Sequence, residues 1–426
     1  MIRLALAYMR DRPLTVALNA LLLGIAVATL VLLLQFATQA GERFERDAQG
    51  IDLVVGAKGS PLQLVLSSVY HIDQPTGNIP LGELARLRSD PGVAKAVPLA
   101  LGDSFEGFRI VGSDSGLLDL YGAAIAQGRT FAKPAEVVLG ADVARSTGAG
   151  LGQKFIGSHG LDPDPDGEQG HDHAPFVTVG ILAPTGTALD RLIITSVESV
   201  WDVHGIEHED HAGEAGHDDH DGDHDAHDHE DEDHHDEALQ ADGMEPEITA
   251  ILLRYRNASA AMRLPTQINR QTALQAAAPA TEAARLLGLF GSVIEGARLF
   301  GWLLALSAGL SLFVALWCAT RAREGDLALL RVMGATPRAV FATILAEGLL
   351  IAAIGAIGGI ALAHALMAVA ANAFPTIGEL GISATRFLPG EAIILAAALA
   401  IGLVAAAIPA IRIFRVDLAD TLAKYS

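Results

Sequence analysis

The stretch RAREGDLALLRVMGATPRAVFATILAEGLL occupies residues 321–350. It opens with charged, helix-forming residues, continues as an amphipathic turn and is interrupted by the small residues Gly334 and Ala335. Thr336 and Pro337 then have the pattern of an N-cap followed by the first residue of a helix. The stretch therefore predicts a short amphipathic element that leads into a longer helix.

Four apolar runs, two of them on either side of this element, are long enough to cross a membrane. Residues 14–37 contain no Asp, Glu, Lys or Arg, and as a helix they would extend about 36 Å against a hydrocarbon core of about 30 Å. The other runs are 299–319, 339–374 and 392–411, of which the third is interrupted by Glu347 and His364. The first run is too long for the apolar part of a secretory signal, so we expect a retained anchor.

Positive charge near these runs predicts their orientation. Arginines at 3, 10 and 12, at 321, 323, 331 and 338, and at 412 and 415 all fall on one side of a four-span chain. The chain is therefore expected to be a multi-pass membrane protein, N-in and C-in. Its expected segments are an amphipathic cytoplasmic helix (1–13), transmembrane helices (14–38, 299–320, 339–374, 391–412), an extracytoplasmic domain (39–298), a cytoplasmic element (321–338), a periplasmic loop (375–390) and a cytoplasmic tail (413–426).

Residues 51–255 are mixed in character. β-rich runs separated by Gly, Pro, Asn and Asp predict strands, namely IDLVV, QLVLSSVY, FRIVG, EVVLG, FVTVGIL, RLIITSV and ITAILLRY. Residues 81–88 and 141–148 have helical patterns, and residues 41–50 and 271–298 are predicted helical stalks. The expected fold is therefore four transmembrane α-helices (1+3) with a large α+β extracytoplasmic domain on helical stalks.

The acidity of the chain is local. Its formal net charge is −21, but residues 202–237 hold 17 Asp and Glu and no Lys or Arg. The segment 204–237 has almost no apolar residues, so we expect a disordered loop. Ten of the 15 histidines lie in it, at His204, His208, His211, His217, His220, His224, His227, His229, His234 and His235.

Neutral imidazole is a ligand for Zn²⁺ and similar ions, and carboxylates add charge and further donors. We therefore predict reversible capture of a divalent transition metal, most simply zinc, at several weak sites whose affinity falls near pH 6. A solvated acidic linker is the alternative. His71 and Asp73 can likewise be read as metal or partner ligands, or as part of a strand and loop. Glu347 and His364 are better explained by coupling or helix contacts than by an ion path.

The motif in residues 321–350 resembles the cytoplasmic element of FtsX/MacB-type permeases of ABC transporters. The matching positions are Arg323, Glu324, Leu327, Leu330, Arg331, Gly334, Ala335 and Thr336. GRTFAKPAEVVLGADVARSTGAGLGQKF (128–155) resembles the outer domain of that family, and PAIRIFRVDLADTLA resembles its C-terminal tail, with Val416 and Asp417 in place of the usual proline step.

The resemblance implies a non-enzymatic permease subunit that acts as a homodimer or in a pair of permeases. A separate cytoplasmic ATPase would bind ATP and drive the extracytoplasmic domain through the eight matching residues. The sequence has no G-x-x-x-x-G-K-[ST] phosphate loop, and no nucleic-acid partner is expected. Transition-metal handling, with a periplasmic metal-binding or adaptor protein, is the leading role. Export of lipoproteins or hydrophobic compounds, and regulation of a periplasmic partner without transport, are the alternatives.

Overall fold

The structure is a computed structural model that describes residues 2–157, 175–203, 246–373 and 382–412. It consists of two compact units. The helical unit comprises Met1–Phe44 and Ala284–Ser426, and the α/β unit comprises Glu45–Ala283. The predicted combination of membrane helices with an α+β domain is confirmed.

Helices and strands are numbered in chain order over the described residues. The helices are α1 (Ile2–Asp11), α2 (Pro13–Asp47), α3 (Pro61–Ser68), α4 (Gly82–Arg88), α5 (Gly116–Tyr121), α6 (Ala141–Thr147), α7 (Val197–Val203), α8 (Ala258–Gln271), α9 (Pro279–Ala322), α10 (Glu324–Val332), α11 (Pro337–Ala373) and α12 (Pro389–Arg412). The strands are β1 (Leu53–Ala57), β2 (Ile79–Pro80), β3 (Val93–Phe105), β4 (Phe108–Ser113), β5 (Ile125–Gly128), β6 (Glu136–Leu139), β7 (Lys154–Phe155), β8 (Phe176–Leu182), β9 (Leu192–Ser196), β10 (Glu247–Ile248), β11 (Ala250–Tyr255) and β12 (Leu274–Ala277).

Within the part of the chain that the structure describes, four helices, α2, α9, α11 and α12, are long and apolar enough to cross a membrane. The first two continue beyond their apolar stretches, since α2 runs on to Asp47 and α9 starts at Pro279. These extensions lie where the sequence predicts the stalks. The second begins later than the sequence pattern suggests, because residues 274–277 form β12 rather than helix.

The α/β unit is built on one mixed sheet. Among the described residues its strands lie in the order β12-β1-β11-β3-β4-β9-β6-β8-β5, with β7 beside β8, while β10 and β2 form a separate ribbon. The pairs β4–β9 and β6–β8 are parallel and the other pairs are antiparallel. The long strand β3 belongs to both halves of the sheet: its first part pairs with β11, and its last part pairs with β4.

Each half of the sheet has its own core. In the first half, Leu53 and Ile251 of the sheet pack with Leu84, Trp201 and Leu264 from α4, α7 and α8. In the second half, buried side chains of β4, β6 and β9 pack with Val143 of α6 and with two phenylalanines; the set includes Ile110, Val137, Phe155, Phe176 and Ile193. The unit therefore buries enough apolar surface to fold around its own cores.

The strand predicted for QLVLSSVY is wrong, because these residues belong mainly to helix α3. Ser60 caps the helix, its Oγ accepting a hydrogen bond from the amide of Gln63, and Pro61 is the first helical residue. This N-terminal signal outweighs the β-preference of the following Val and Leu residues. Leu64 and Val65 are buried on the inner face of the helix.

Glycine allows the helices of the helical unit to approach closely. A Cβ on Gly359 of α11 would overlap the carbonyl oxygen of Gly24 on α2, and a Cβ on Gly402 of α12 would overlap Ala352 of α11. Small residues at such contacts let helix backbones pack against one another, which is how helices associate in lipid. These crossings fix α2 and α12 on two sides of α11.

Candidate functional site

The element predicted from residues 321–338 contains the short helix α10. Arg323 precedes α10, and residues 333–336 connect it to α11. Gly334 has a φ of +104°, a backbone conformation that residues with a Cβ rarely adopt. The amide of Ala339 donates a hydrogen bond to Thr336 Oγ1 at 3.3 Å. Gly334 therefore makes the break, and Thr336 caps α11.

One face of α10 is buried within the helical unit. Leu327 packs with Val340 and Ile344 of α11 and with Ala410 of α12, and Leu330 lies at the edge of the same cluster. These contacts join α10 to the beginning of α11 and to the end of α12. A movement of α10 would therefore reach both helices.

Three apolar residues at the end of α10 and directly after it are exposed. The exposed fractions of Leu329, Val332 and Met333 are 53%, 63% and 74%. We call these three residues the apolar patch. Exposed apolar residues that lie together are typical of a surface that binds a partner.

A buried arginine connects α10 to two further helices. The Arg323 guanidinium lies over the Tyr8 ring, 4.1 Å from its centroid, and Nη2 donates to the Tyr8 carbonyl oxygen at 3.1 Å. Arg323 Nη1 is 3.8 Å from Glu347 Oε2, and both side chains are at most 10% exposed. Cation–π and ionic contacts of this kind are strengthened by burial. Arg323 thus connects α1 and α11 at the start of α10.

A second arginine connects the end of α12 to the same element. The Arg412 guanidinium lies 4.8 Å from the centroid of the Trp317 ring. Its Nη2 is 3.5 Å from Glu324 Oε1. We call the contacts of Arg323 and Arg412 the arginine cluster, which holds α10 against α1, α9, α11 and α12.

The structure separates the eight predicted coupling residues by environment. Buried or half-buried members are Arg323, Glu324, Leu327, Leu330, Arg331 and Ala335, and exposed members are Gly334 and Thr336. Most of the motif therefore positions α10, whereas the apolar patch lies outside the motif. The apolar patch could have been found in the sequence from the spacing of residues 329, 332 and 333, which places them on the helix face opposite Leu327.

A second polar group lies further along the same helices. Gln35 of α2 is fully buried, and its two amide hydrogens go to the Arg386 carbonyl oxygen, at 2.7 Å, and to Glu391 Oε1. Gln39 Nε2 donates to Gln35 Oε1 at 2.7 Å and to the Ser383 carbonyl oxygen at 3.1 Å. Two glutamines of α2 therefore hold the segment before α12.

Histidine and glutamate complete this group. His364 Nδ1 lies 2.6 Å from the Ala384 carbonyl oxygen, and Nε2 lies 3.0 Å from Glu391 Oε2. Glu391 is 3% exposed, and its Oε1 also accepts the Leu388 amide at 3.0 Å. We call Gln35, Gln39, His364 and Glu391 the glutamine–histidine cluster. Nothing in the sequence brings these four positions together.

The predicted metal ligands of the histidine-rich segment, His204 to His235, lie outside the described residues. Within the described residues, no group of three His, Cys, Asp or Glu side chains has the arrangement of a metal site. His71 has a φ of 55°, and burial together with Arg109 and Arg191 lowers its pKa to about 3. Asp73 Oδ1 accepts the Gln74 amide at 2.8 Å.

Comparison with known proteins gives matches to two family models. A model described as FtsX-like permease C-terminal matches residues 298–418, and one described as MacB-like periplasmic core domain matches residues 16–214. No curated protein matches the chain.

Two solved structures are similar to part of the chain. The periplasmic region of MacB from Actinobacillus actinomycetemcomitans is 12% identical, with a TM-score of 0.34, over 56% of this chain and 95% of that one. The extracellular domain of the noncanonic ABC-type transporter YknZ from Gram-positive bacteria is 13% identical, with a TM-score of 0.29, over 53% and 98%. The two family models together match residues 16–214 and 298–418, and the chain belongs to the FtsX/MacB-type family of ABC transporter permeases.

Proposed function

We propose that α10 receives movement from a separate cytoplasmic ABC ATPase, the partner of permeases in this family, and passes it to the extracytoplasmic domain. The apolar patch is the observation that carries this proposal, because it lies on a helix whose opposite face is anchored in the bundle. An ATPase bound to the patch would move a rigid element rather than a loose loop.

The arginine cluster supports transmission through the bundle. It joins α10 to both α11 and α12, and the close crossing of Gly24 and Gly359 joins α11 to α2. The helices α2 and α9 extend beyond their membrane-spanning stretches toward the α/β unit in sequence. A displacement of α10 would thus act on the helices that lead to the extracytoplasmic domain.

The orientation that we propose is N-in and C-in in a bacterial inner membrane. Arginines of α1 and of the α10 region fall on one side of the spans, which the positive-inside rule assigns to the cytoplasm. The segment 375–390 and the α/β unit are then periplasmic. We propose that the working unit contains two permease chains, as the family resemblance implies.

The apolar patch can be tested with a matched pair of variants. Met333 and Met262 are exposed to almost the same degree, 74% and 77%, but Met262 lies on α8 of the α/β unit. In the complex of the full-length chain with its ATPase, isolated from native membranes, Met333→Asp should lower ATP hydrolysis by at least about tenfold, since a charged residue disrupts an apolar contact. Met262→Asp should stay within about twofold of the natural protein.

Equal ATP hydrolysis by the two methionine variants would contradict the proposal. Gly334 is a poorer position for this test, because any side chain there strains a backbone with positive φ. A loss of activity in a Gly334 variant would then report on folding as much as on ATPase binding.

We further propose that the segment 204–237 captures zinc or a related divalent ion at several weak sites. Its ten histidines support this, because acidic residues alone would suffice for a solvated linker. Replacing all ten histidines by glutamine keeps the acidic charge. Zinc titration of the purified full-length chain should show at least about tenfold weaker binding in that variant at pH 7.5. Unchanged binding would assign the segment to the acidic-linker alternative.

A further inference from the structure

The contacts of His364 fix where its protons must be. Its Nδ1 lies 2.6 Å from the carbonyl oxygen of Ala384. A carbonyl oxygen only accepts hydrogen bonds, so Nδ1 carries a hydrogen. In a neutral ring, Nε2 is then an acceptor, and it lies 3.0 Å from Glu391 Oε2. Two acceptors do not attract each other at this distance, so a second proton must lie between them.

The contacts of Glu391 also place that proton between His364 Nε2 and Glu391 Oε2. Glu391 Oε1 already accepts hydrogen bonds from Gln35 Nε2 and from the amide of Leu388. The orientation of the Gln35 amide is fixed as well, because its Nε2 also faces the carbonyl oxygen of Arg386. Any carboxyl proton is therefore on Oε2. The pair is either imidazolium with carboxylate or imidazole with carboxylic acid, and both forms hold the same number of protons.

Within the described parts of α11, α12 and the segment before α12, no other cation is in place to replace this proton. Gln35 and Gln39 of α2 are uncharged, and the nearby Glu42 is paired with Arg386 of the segment before α12. The other charged residues of α11 and α12 in the described chain are Arg338, Glu347 and Arg412, toward the α10 end. Glu347 is 17 residues before His364, which is about 26 Å along a helix. Loss of the proton leaves a buried negative charge on Glu391.

We propose that His364 and Glu391 form a proton-binding site, and that the bound proton latches the ends of α2, α11 and α12 together at the end of the bundle opposite α10. Hydrogen bonds of Gln35 and Gln39 connect this site to α2, and the hydrogen bond from His364 to the carbonyl oxygen of Ala384 connects it to the segment before α12. The ring of Phe387 covers the histidine, 4.5 Å from its centroid. The ligand of this site is a proton, not a partner protein or a transported substrate.

Proton counting gives the direction of the pH dependence. When the two side chains are apart in water, histidine is charged and glutamate is ionised between about pH 4.3 and 6.5. The separated pair then holds one proton beyond those of neutral imidazole and carboxylate. The latched pair holds the same number there, so pH has little effect. Above about pH 6.5 the separated histidine releases its proton while the latched pair keeps it. The latched state therefore loses stability as pH rises, by up to about tenfold in population per pH unit.

Cysteine labelling can measure the opening of the latch. Leu388 is 8% exposed and its amide donates to Glu391, whereas Thr385 in the same segment is exposed. In full-length protein with Cys318→Ser, purified in detergent, maleimide labels Leu388→Cys or, in a second sample, Thr385→Cys. The ratio of the two rates cancels the pH dependence of thiol reactivity. It should be constant from pH 5 to 6.5 and then rise by up to about tenfold per pH unit to pH 9.

Glu391→Gln is the deciding variant. A glutamine amide can donate to the neutral His364 Nε2, and its oxygen can still accept from Gln35 and Leu388, so above about pH 6.5 the latch stays closed without a titrating proton. The labelling ratio should then be low and constant from about pH 6.5 to 9, and it should rise only below about pH 6.5, where the separated histidine binds a proton that the latched pair cannot hold. The proposal is overturned by a constant ratio in the natural pair, by a pH-dependent rise in Glu391→Gln equal to that of the natural pair, or by fast labelling of Glu391→Gln at all pH values.

Discussion

The two ends of the helical unit are held together by different chemistry. At the α10 end, Arg323 and Arg412 make ionic and cation–π contacts, and arginine keeps its charge at every pH that a cell reaches. At the other end, the glutamine–histidine cluster uses amides and one shared proton. One end is therefore held permanently, while the other can respond to proton concentration.

Breaking the arginine cluster should have the largest effect. Arg323→Gln leaves the buried Glu347 carboxylate without its partner and removes the stacking on Tyr8, so we expect a loss of about 3 kcal/mol or more in the free energy of unfolding. Glu347→Gln should cost less, because Arg323 keeps its contacts with Tyr8. Unfolding in SDS, followed by far-UV circular dichroism, measures both variants. Equal costs would show that the ion pair does not determine the stability of this end.

The crossing between the two ends should be almost as sensitive to added volume. Gly359→Val places a side chain against the backbone of Gly24, whereas a Cβ on the neighbouring Gly358 meets nothing within 4 Å. We expect Gly359→Val to cost about 3 kcal/mol, at the upper end for overpacking, and Gly358→Val less than about 1 kcal/mol. The same SDS titration distinguishes them. Similar costs would mean that the valine itself, rather than the close approach of α2 and α11, weakens the helix.

A carboxylate in place of Gln35 sharpens the contrast between the ends by adding a second titrating group. In Gln35→Glu, two carboxylates share a buried site, and the folded state must bind one more proton than the unfolded state. Stability should therefore fall as pH rises above about 4.3, by up to about 1.4 kcal/mol per pH unit. Gln35→Leu removes the same hydrogen bonds and should cost about 2 kcal/mol with no such added slope. Parallel pH profiles for the two variants would contradict this account.

The sequence predicted the features that depend on local patterns. Apolar runs identify α2, α9, α11 and α12 because lipid requires long helices whose backbone groups are paired within the helix. Thr336 and Pro337 mark the start of α11 because capping depends on adjacent residues. The wrong strand prediction at α3 also concerns local patterns. The apolar run after Pro61 favours a strand, but the N-cap Ser60 and the first helical residue Pro61 start a helix.

The polar clusters could not be predicted in this way. Gln35 and Glu391 are 356 positions apart, and their contact depends on how α2 and α12 pack against α11. Among the described residues, five of the eight side-chain hydrogen bonds of the cluster are to backbone carbonyl oxygens and amides, which have no signature in the sequence. The sequence predicts His364 as a polar helix contact, but it does not predict that Glu391 and the carbonyl oxygen of Ala384 are the groups it contacts.

The smallest effect should come from the ion pair at the rim of the glutamine–histidine cluster. Arg386 donates through both Nη atoms to Glu42, but the two side chains are 45% and 35% exposed. Water and salt screen such pairs, so Glu42→Gln should cost only about 0.5 kcal/mol, and less in 1 M NaCl. Arg298 and Glu295 on α9 form a similarly exposed pair, which makes Glu295→Gln a matched control. A cost above about 2 kcal/mol for Glu42→Gln alone would show that a permanent charge also holds this end, and the division between a permanent and a proton-dependent end would then fail.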